Sequence, residues 1–111
     1  MAATNPSTPL PGRVALVTGA AGTIGHAIAV ALQAQGVRTT KADLRPPPDG
    51  IVMDGTDEAS VAAAFAEAGA LTDVVHAAGS LCVGPVAETP LAEFRATLDA
   101  NLVSAFLVGR E

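Results

Sequence analysis

Between residues 13 and 36 the chain runs from an apolar stretch through a glycine cluster into an amphipathic stretch and ends on another glycine. That order leaves few folds open. Arg13-Val-Ala-Leu-Val17 is a short continuous apolar run that ends in Thr18-Gly19, as expected of a parallel strand buried on both faces. Gly19, Gly22 and Gly25 follow at three-residue spacing, and Ile24, Ile28, Ala31 and Leu32 then recur at i, i+4, i+7 and i+8, the period of a helix with one apolar face. Gly36 stands where a left-handed cap would end that helix. A buried strand feeding a helix through a glycine turn opens a βαβ unit, whose next strand lies parallel to the first.

The rest of the chain continues the alternation. Val37 to Ala42 reads as a second strand closing on Asp43, and Pro46-Pro47-Pro48-Asp49-Gly50 as a loop that cannot extend any ladder. Ile51-Val-Met53 is a brief third strand, Thr56 or Asp57 caps a helix carrying Val61, Ala64 and Phe65, and Gly69 stops it. Asp73-Val-Val-His76 is a fourth strand. Thr89-Pro90 supplies an N-cap and first-turn pair, after which Phe94, Leu98, Leu102 and Phe106 repeat every four residues. The fold class expected is α/β, a Rossmann-type doubly wound parallel sheet with strands in the order 3-2-1-4 and flanking helices. Met1 to Pro11, rich in Ser, Thr, Asn and Pro, reads as a disordered leader, and residues 12–111 as one domain.

The glycine turn carries the chemistry. Gly19 and Gly22 allow a tight turn and let backbone N–H groups come close to a pyrophosphate. The helix tip, with the backbone of Thr23 and Ile24, adds partial positive charge, and Gly25 lets the helix pack closely on the strand. A P-loop is excluded, because no Gly-Lys-Ser/Thr follows. Asp43 lies 18 residues beyond Gly25, near the roughly 20 at which such folds place the acid that accepts hydrogen bonds from the adenosine ribose. An acid there repels a 2′-phosphate, which favours NAD over NADP; Lys41 and Arg45 close by weaken that preference.

Composition narrows the classes further. The formal charge of −5, with the six basic residues scattered, argues against nucleic acid or an anionic membrane as partner. The single cysteine, Cys82, can form no internal disulfide, so a cytoplasmic setting is expected, with the thiol a buried or partly buried structural residue. No signal peptide is legible, and runs such as Ala27–Leu32 fall far short of the ~18 apolar residues of a membrane span. His26 reads as a solvated helix residue and His76 as a satisfied structural histidine at a strand end.

Taken together, these features resemble the short-chain dehydrogenases/reductases from about Gly12 to the last residue. Thr18-Gly-Ala-Ala-Gly-Thr-Ile-Gly25 looks like the family's TGxxxGxG with Thr23 in place of the middle glycine. The same stretch fits the TGxxGxxG of the longer, extended members. Asp54, in Val52-Met-Asp54, resembles the acid that reaches the adenine amino group, although an N-terminal cap role for this region fits as well. His76-Ala-Ala-Gly79 is similar to the family's NNAG, which steadies the sheet and borders the cofactor. Ala78 and Gly79 match it; His76 and Ala77 replace both asparagines. By the same resemblance Ala77, Ala78 and Gly79 are cofactor neighbours. Asn101 resembles the helix asparagine that holds a water linked to the catalytic lysine. These lower matches favour the shorter-chain subgroup.

The family's proton donor is a tyrosine in a Tyr-x-x-x-Lys pair. This sequence has no tyrosine, and its one lysine is Lys41. No triad spacing or metal-ligand cluster takes their place. The resemblance therefore implies the nicotinamide-binding portion of an enzyme that interconverts an alcohol and a carbonyl, with no turnover expected from these residues alone. A non-catalytic nucleotide-binding or regulatory module is the alternative. A fourth strand with an open edge, beside a helix without a neighbour, adds the expectation of a homo-oligomer.

Overall fold

The computed structural model describes residues 10–111. Four strands form one parallel sheet: β1 (Val14–Thr18), β2 (Arg38–Asp43), β3 (Ile51–Val52) and β4 (Asp73–His76). Their order is β3-β2-β1-β4, as the sequence implies. Helices α1 (Thr23–Ala34) and α2 (Glu58–Ala68) make the crossovers, and α3 (Leu91–Leu98), a π turn (Asp99–Val103) and α4 (Ser104–Arg110) follow β4. The disordered-leader expectation falls on residues 1–9, outside the described residues, and on Leu10 and Pro11, where the Leu10 N–H donates to the Gln35 carbonyl at the end of α1.

β1 is the centre of the molecule because it is paired on both sides along nearly its whole length, with Val14–Thr18 opposite Arg38–Ala42 and Ala15–Thr18 opposite Asp73–His76, whereas β2 meets β3 only at Ala42 and Asp43. Its successive side chains point to opposite faces. Leu16 joins Ala42, Met53, Val61, Ala64, Leu107 and Val108 beneath α2 and α4, while Val17 joins Ala20 and Ala29 beneath α1. The two cores are thin and alanine-rich, which brings α1 close to the sheet.

Local chemistry explains the element ends. Asp57 caps α2, its carboxylate accepting from the Ala59 and Ser60 N–H groups, and Gly69 ends the helix at φ +76°. Gly36, at φ +80°, ends α1. At α3, by contrast, the cap position falls on Pro90 rather than Thr89, with no side-chain cap. The Thr89 hydroxyl donates instead to the Pro85 carbonyl, which keeps it out of the helix start. Met53 lies outside the ladder, so β3 has two residues; the Met53 N–H still reaches the Asp43 carbonyl, and its side chain is buried.

Two apolar stripes face differently from their sequence pattern. In α1 the inward residues are Gly25 and Ala29, flanked by Ile28 and Leu32, and Ile24 at the tip is 71% exposed. The approach at Gly25 turns the first helical turn so that Ile24 points outward. After β4, the four-residue repeat Phe94, Leu98, Leu102 and Phe106 is exposed throughout, and Ser104, Leu107 and Val108 are buried in its place. For the residues beyond it, Ser104, Phe106, Leu107 and Val108, the π turn sets which face is inward. The Ser104 N–H bonds to the carbonyl of Asp99, five residues back, and one extra residue in a turn rotates everything beyond it around the helix axis.

Candidate functional site

At the carboxyl ends of β1, β2 and β4 the chain leaves a hollow of about 390 Å³, within the ordinary range of small-molecule sites. It lies on the strand-end side where open α/β sheets place their ligands. The glycine turn forms its floor. Gly19, at φ +64°, carries no Cβ because one would stand 2.6 Å from the Ala78 nitrogen. A Cβ on Gly25 would stand 2.1 Å from the Gly19 carbonyl oxygen, so α1 begins in backbone contact with the turn.

The tip of α1 is open to an anion. Gly22 is the cap residue, no side chain caps the first turn, and no acidic residue lies in it. The first N–H groups of a helix precede any intrahelical acceptor, and together with the helix dipole they favour a negative group. Ahead of the helix, the Ala21 N–H donates to Asp43 Oδ2 at 3.0 Å and the Gly22 N–H to the Gly19 carbonyl at 3.0 Å. Asp43 therefore does two things: it stands at the end of β2 on the rim of the hollow, and it ties the glycine turn to β2. Its Oδ1 accepts from the Arg45 N–H at 3.2 Å. Each carboxylate oxygen thus keeps a lone pair for another donor.

Asp54 lies across the hollow. Its Oδ1 accepts from the Thr56 hydroxyl at 2.7 Å and from the Thr56 N–H at 2.9 Å. These bonds hold the carboxyl below the usual aspartate range, with the hydroxyl as the larger cause. The Asp54 N–H is itself held by Ser60 Oγ. The opposite wall is Ala77-Ala78-Gly79-Ser80. The Thr18 hydroxyl oxygen accepts from the N–H groups of Ala77 and Ala78 at 3.1 and 3.3 Å.

Asn101 stands behind this wall, inside the π turn. Its Nδ2 donates to the carbonyls of Ser80 and Thr97, at 2.7 and 2.9 Å, and its Oδ1 accepts from the Ser80 N–H at 3.3 Å. Both donor hydrogens are spent on backbone, so Asn101 clamps the loop after β4 to the helix.

Of the residues singled out from sequence, Gly19, Gly22, Asp43, Asp54, Ala77, Ala78 and Gly79 line one hollow. Thr23, Ile24 and Gly25 do not line it; they build the helix tip at its edge. Sequence reasoning passed over Thr56, Ser80 and Ser104, which also line it. Thr56 and Ser80 sit next to singled-out residues in short loops, whereas Ser104 reaches the site only through the π turn. His76 is satisfied on both ring nitrogens, by Thr18 at 2.7 Å and Ser104 at 3.1 Å. His26 is exposed. Cys82 is partly buried and donates to Glu93 Oε1 at 2.8 Å, a bond that raises the thiol pKa and so opposes thiolate formation. Among the described residues no cluster of His, Cys, Asp and Glu could hold a metal ion, and no helix is long and apolar enough to cross a membrane.

Comparison with known proteins meets this geometry from outside. The sequence model of the NAD dependent epimerase/dehydratase family matches residues 15–107. The chain is 37% identical to the D-threitol dehydrogenase of Mycolicibacterium smegmatis, over 89% of the chain and 45% of that protein. It is 30% identical to a short chain dehydrogenase/reductase of Aspergillus versicolor, over 91% of the chain and 43% of that protein. Among solved structures, the ligand-free aldohexose dehydrogenase of Thermoplasma acidophilum is similar with a TM-score of 0.79 at 26% identity, covering 88% of this chain and 42% of that one. The chain thus spans a little under half the length of the relatives it matches.

Proposed function

Because the chain belongs to the NAD dependent epimerase/dehydratase family, within the short-chain dehydrogenases/reductases, we propose that its hollow binds a nicotinamide dinucleotide, NAD in preference to NADP. The observation that carries the reading is the uncapped tip of α1, which opens beside a carboxylate held at the end of β2. The fit can be judged from the residues present. Gly22 leaves room for a diphosphate at the helix tip, where a Cβ would meet nothing but the Gly19 carbonyl oxygen at 3.3 Å. Asp43 offers its remaining lone pairs to the ribose hydroxyls, Asp54 stands where the adenine edge would lie, and Ala77 to Gly79 form an apolar wall along the cofactor. The bound dinucleotide supplies hydride chemistry between an alcohol and a carbonyl.

The preference for NAD gains support from Lys41. Its ammonium is 2.8 Å from Asp49 Oδ2, so the one lysine is paired with the Pro-rich loop, and a 2′-phosphate would have to compete with Asp49 for it. Titration calorimetry tests the proposal: saturable binding of NAD that ADP-ribose competes away is the expected result. No heat with NAD at millimolar concentration overturns it.

A further inference from the structure

His76 ends β4, and its ring bridges the end of β1 to the start of α4. The partners of the two hydroxyls decide which ring nitrogen carries the proton. Ser104 Oγ lies 2.6 Å from the Ala100 carbonyl oxygen. A carbonyl only accepts, so the one Ser104 hydroxyl hydrogen is committed there and its oxygen must accept from the ring. Nε2 is therefore the N–H. In the neutral ring Nδ1 is then an acceptor, and the Thr18 hydroxyl donates to it. With its hydrogen so used, Thr18 Oγ1 turns its lone pairs to the N–H groups of Ala77 and Ala78. One chain of bonds thus runs from the wall of the hollow through Thr18, His76 and Ser104 to the π turn.

We propose that His76, as the neutral Nε2–H tautomer, is a positioning residue that locks the Ala77–Gly79 wall against the glycine turn, so that a second proton on the ring loosens the wall and weakens dinucleotide binding. The consequence for binding rests on the dinucleotide reading of the hollow; the lock itself does not. An imidazolium donates from both nitrogens. Its Nδ1–H would face an oxygen already accepting two N–H groups, and the Thr18 hydrogen would lose its acceptor. Either the ring leaves Thr18, or Thr18 releases Ala77 and Ala78. The wall sits in a slot with no slack, because a Cβ on Gly19 would stand 2.6 Å from the Ala78 nitrogen and one on Gly79 2.5 Å from Asn101 Oδ1.

The charged groups on the surrounding elements do not compete for this role. Arg13 and Asp73 pair with each other at the far ends of β1 and β4. Asp54, two residues before Thr56 and next to Gly55, which packs on Ser104, is held by Thr56. Asp43 is held by Ala21 and Arg45, and Asp99 on the π turn is exposed. Burial alone lowers the pKa of His76, in keeping with a ring held neutral.

Two measurements test the lock separately from the ligand. Two-bond proton–nitrogen NMR spectra of the imidazole, recorded without cofactor, are expected to show a protonated Nε2 and a bare Nδ1, with the Ala77 and Ala78 amides shifting along the same titration curve as the ring. Calorimetry with NAD between about pH 5 and 8 is then expected to show affinity falling about tenfold as the ring protonates, the loss of roughly one hydrogen bond's worth of binding. In His76→Asn the side-chain oxygen can accept from Thr18 but does not titrate; its affinity at about pH 8 is expected to lie between those of wild type and His76→Leu, and to stay flat in acid. An Nδ1–H tautomer, or parallel pH profiles for wild type and His76→Asn, overturns the proposal. Absence of NAD binding by the wild type at every pH overturns the dinucleotide reading and the binding consequence, and the spectra then decide the lock alone, as they do should the variants fail to fold.

Discussion

Replacing Gly25 with alanine adds one methyl group where, of all the glycines, a Cβ has the least room. The new Cβ would lie 2.1 Å from the Gly19 carbonyl oxygen and 2.7 Å from its carbon, where ordinary contact begins near 3.4 Å, so the tip of α1 must withdraw by about 1.3 Å. Both sides of the contact are backbone, and no rotamer change relieves it. Overpacking of this kind costs about 1–3 kcal/mol, and the backbone contact puts Gly25→Ala at the upper end. The better helix propensity of alanine offsets up to ~1 kcal/mol. A net loss of about 2 kcal/mol corresponds to a fall in Tm of roughly 8–16 °C for a domain of this size. Binding should suffer more than stability, because the retreating helix carries the anion-binding N–H groups away from the hollow. Thermal unfolding followed by circular dichroism gives the first effect and calorimetry with NAD the second. Gly109→Ala is the control: it lies in α4 with open space where its Cβ would be, so it should be neutral or stabilise by up to ~1 kcal/mol. If Gly25→Ala is as stable as Gly109→Ala and still binds NAD, the close approach of helix and turn is not what these glycines provide.

Other perturbations test separate parts of the site. Asp43→Asn keeps the shape and removes the charge; NAD affinity should fall by about 10- to 100-fold, the range for a hydrogen bond to a charged group, while NADP affinity falls less, as paired calorimetric titrations would show. Asp49→Asn frees Lys41 from its ion pair, and the ratio of NADP to NAD affinity is expected to rise; an unchanged ratio refutes a part for that pair in selectivity. Because burial lowers the His76 pKa, the unfolded chain takes up a proton more readily, near its usual value of about 6.5. The stability His76 contributes is therefore complete above that value, is lost as pH falls from about 6.5 through the folded value, and is constant below it. Urea unfolding across that window should show a slope that His76→Asn removes. The exposed stripe of Phe94, Leu98, Leu102 and Phe106, together with the open edge of β4, is expected to drive self-association; light scattering should find Leu98→Glu more monomeric than wild type, and a monomeric wild type refutes the expectation.

What was legible in the sequence was whatever nearest neighbours in the chain determine. The buried run of β1, the glycine turn and the capping glycines are each set by a few adjacent residues, and the parallel order follows once strands and helices alternate. The stripe after Pro90 has the period of an uninterrupted helix, but the helix that carries it is interrupted and the stripe is exposed. Two side chains bond backward to the main chain across the interruption: Asn101 to the Thr97 carbonyl and Ser104 to that of Ala100. Neither residue type announces such a bond in a pattern of apolar spacing, since Ser and Asn on a helix more often face water.

The same limit explains why seven of the residues named in advance gather in the hollow while the bonds that set its shape were invisible. Asp43 was found by its distance from the glycines, yet its hold on Ala21 spans 22 residues and depends on how far β2 extends. His76 was expected to be satisfied, but its partners are 58 and 28 residues away. Those two bonds have a consequence that no single residue has. Thr18, the last residue of the most buried strand, has its hydroxyl hydrogen assigned by a ring on the neighbouring strand, whose tautomer is assigned in turn by a serine that the π turn brings inward. The extra residue in that turn places Ser104 under the ring, and through the ring it fixes the wall facing the glycine turn. Without that extra residue, Ser104 would be carried around the helix axis, away from its place against His76 Nε2.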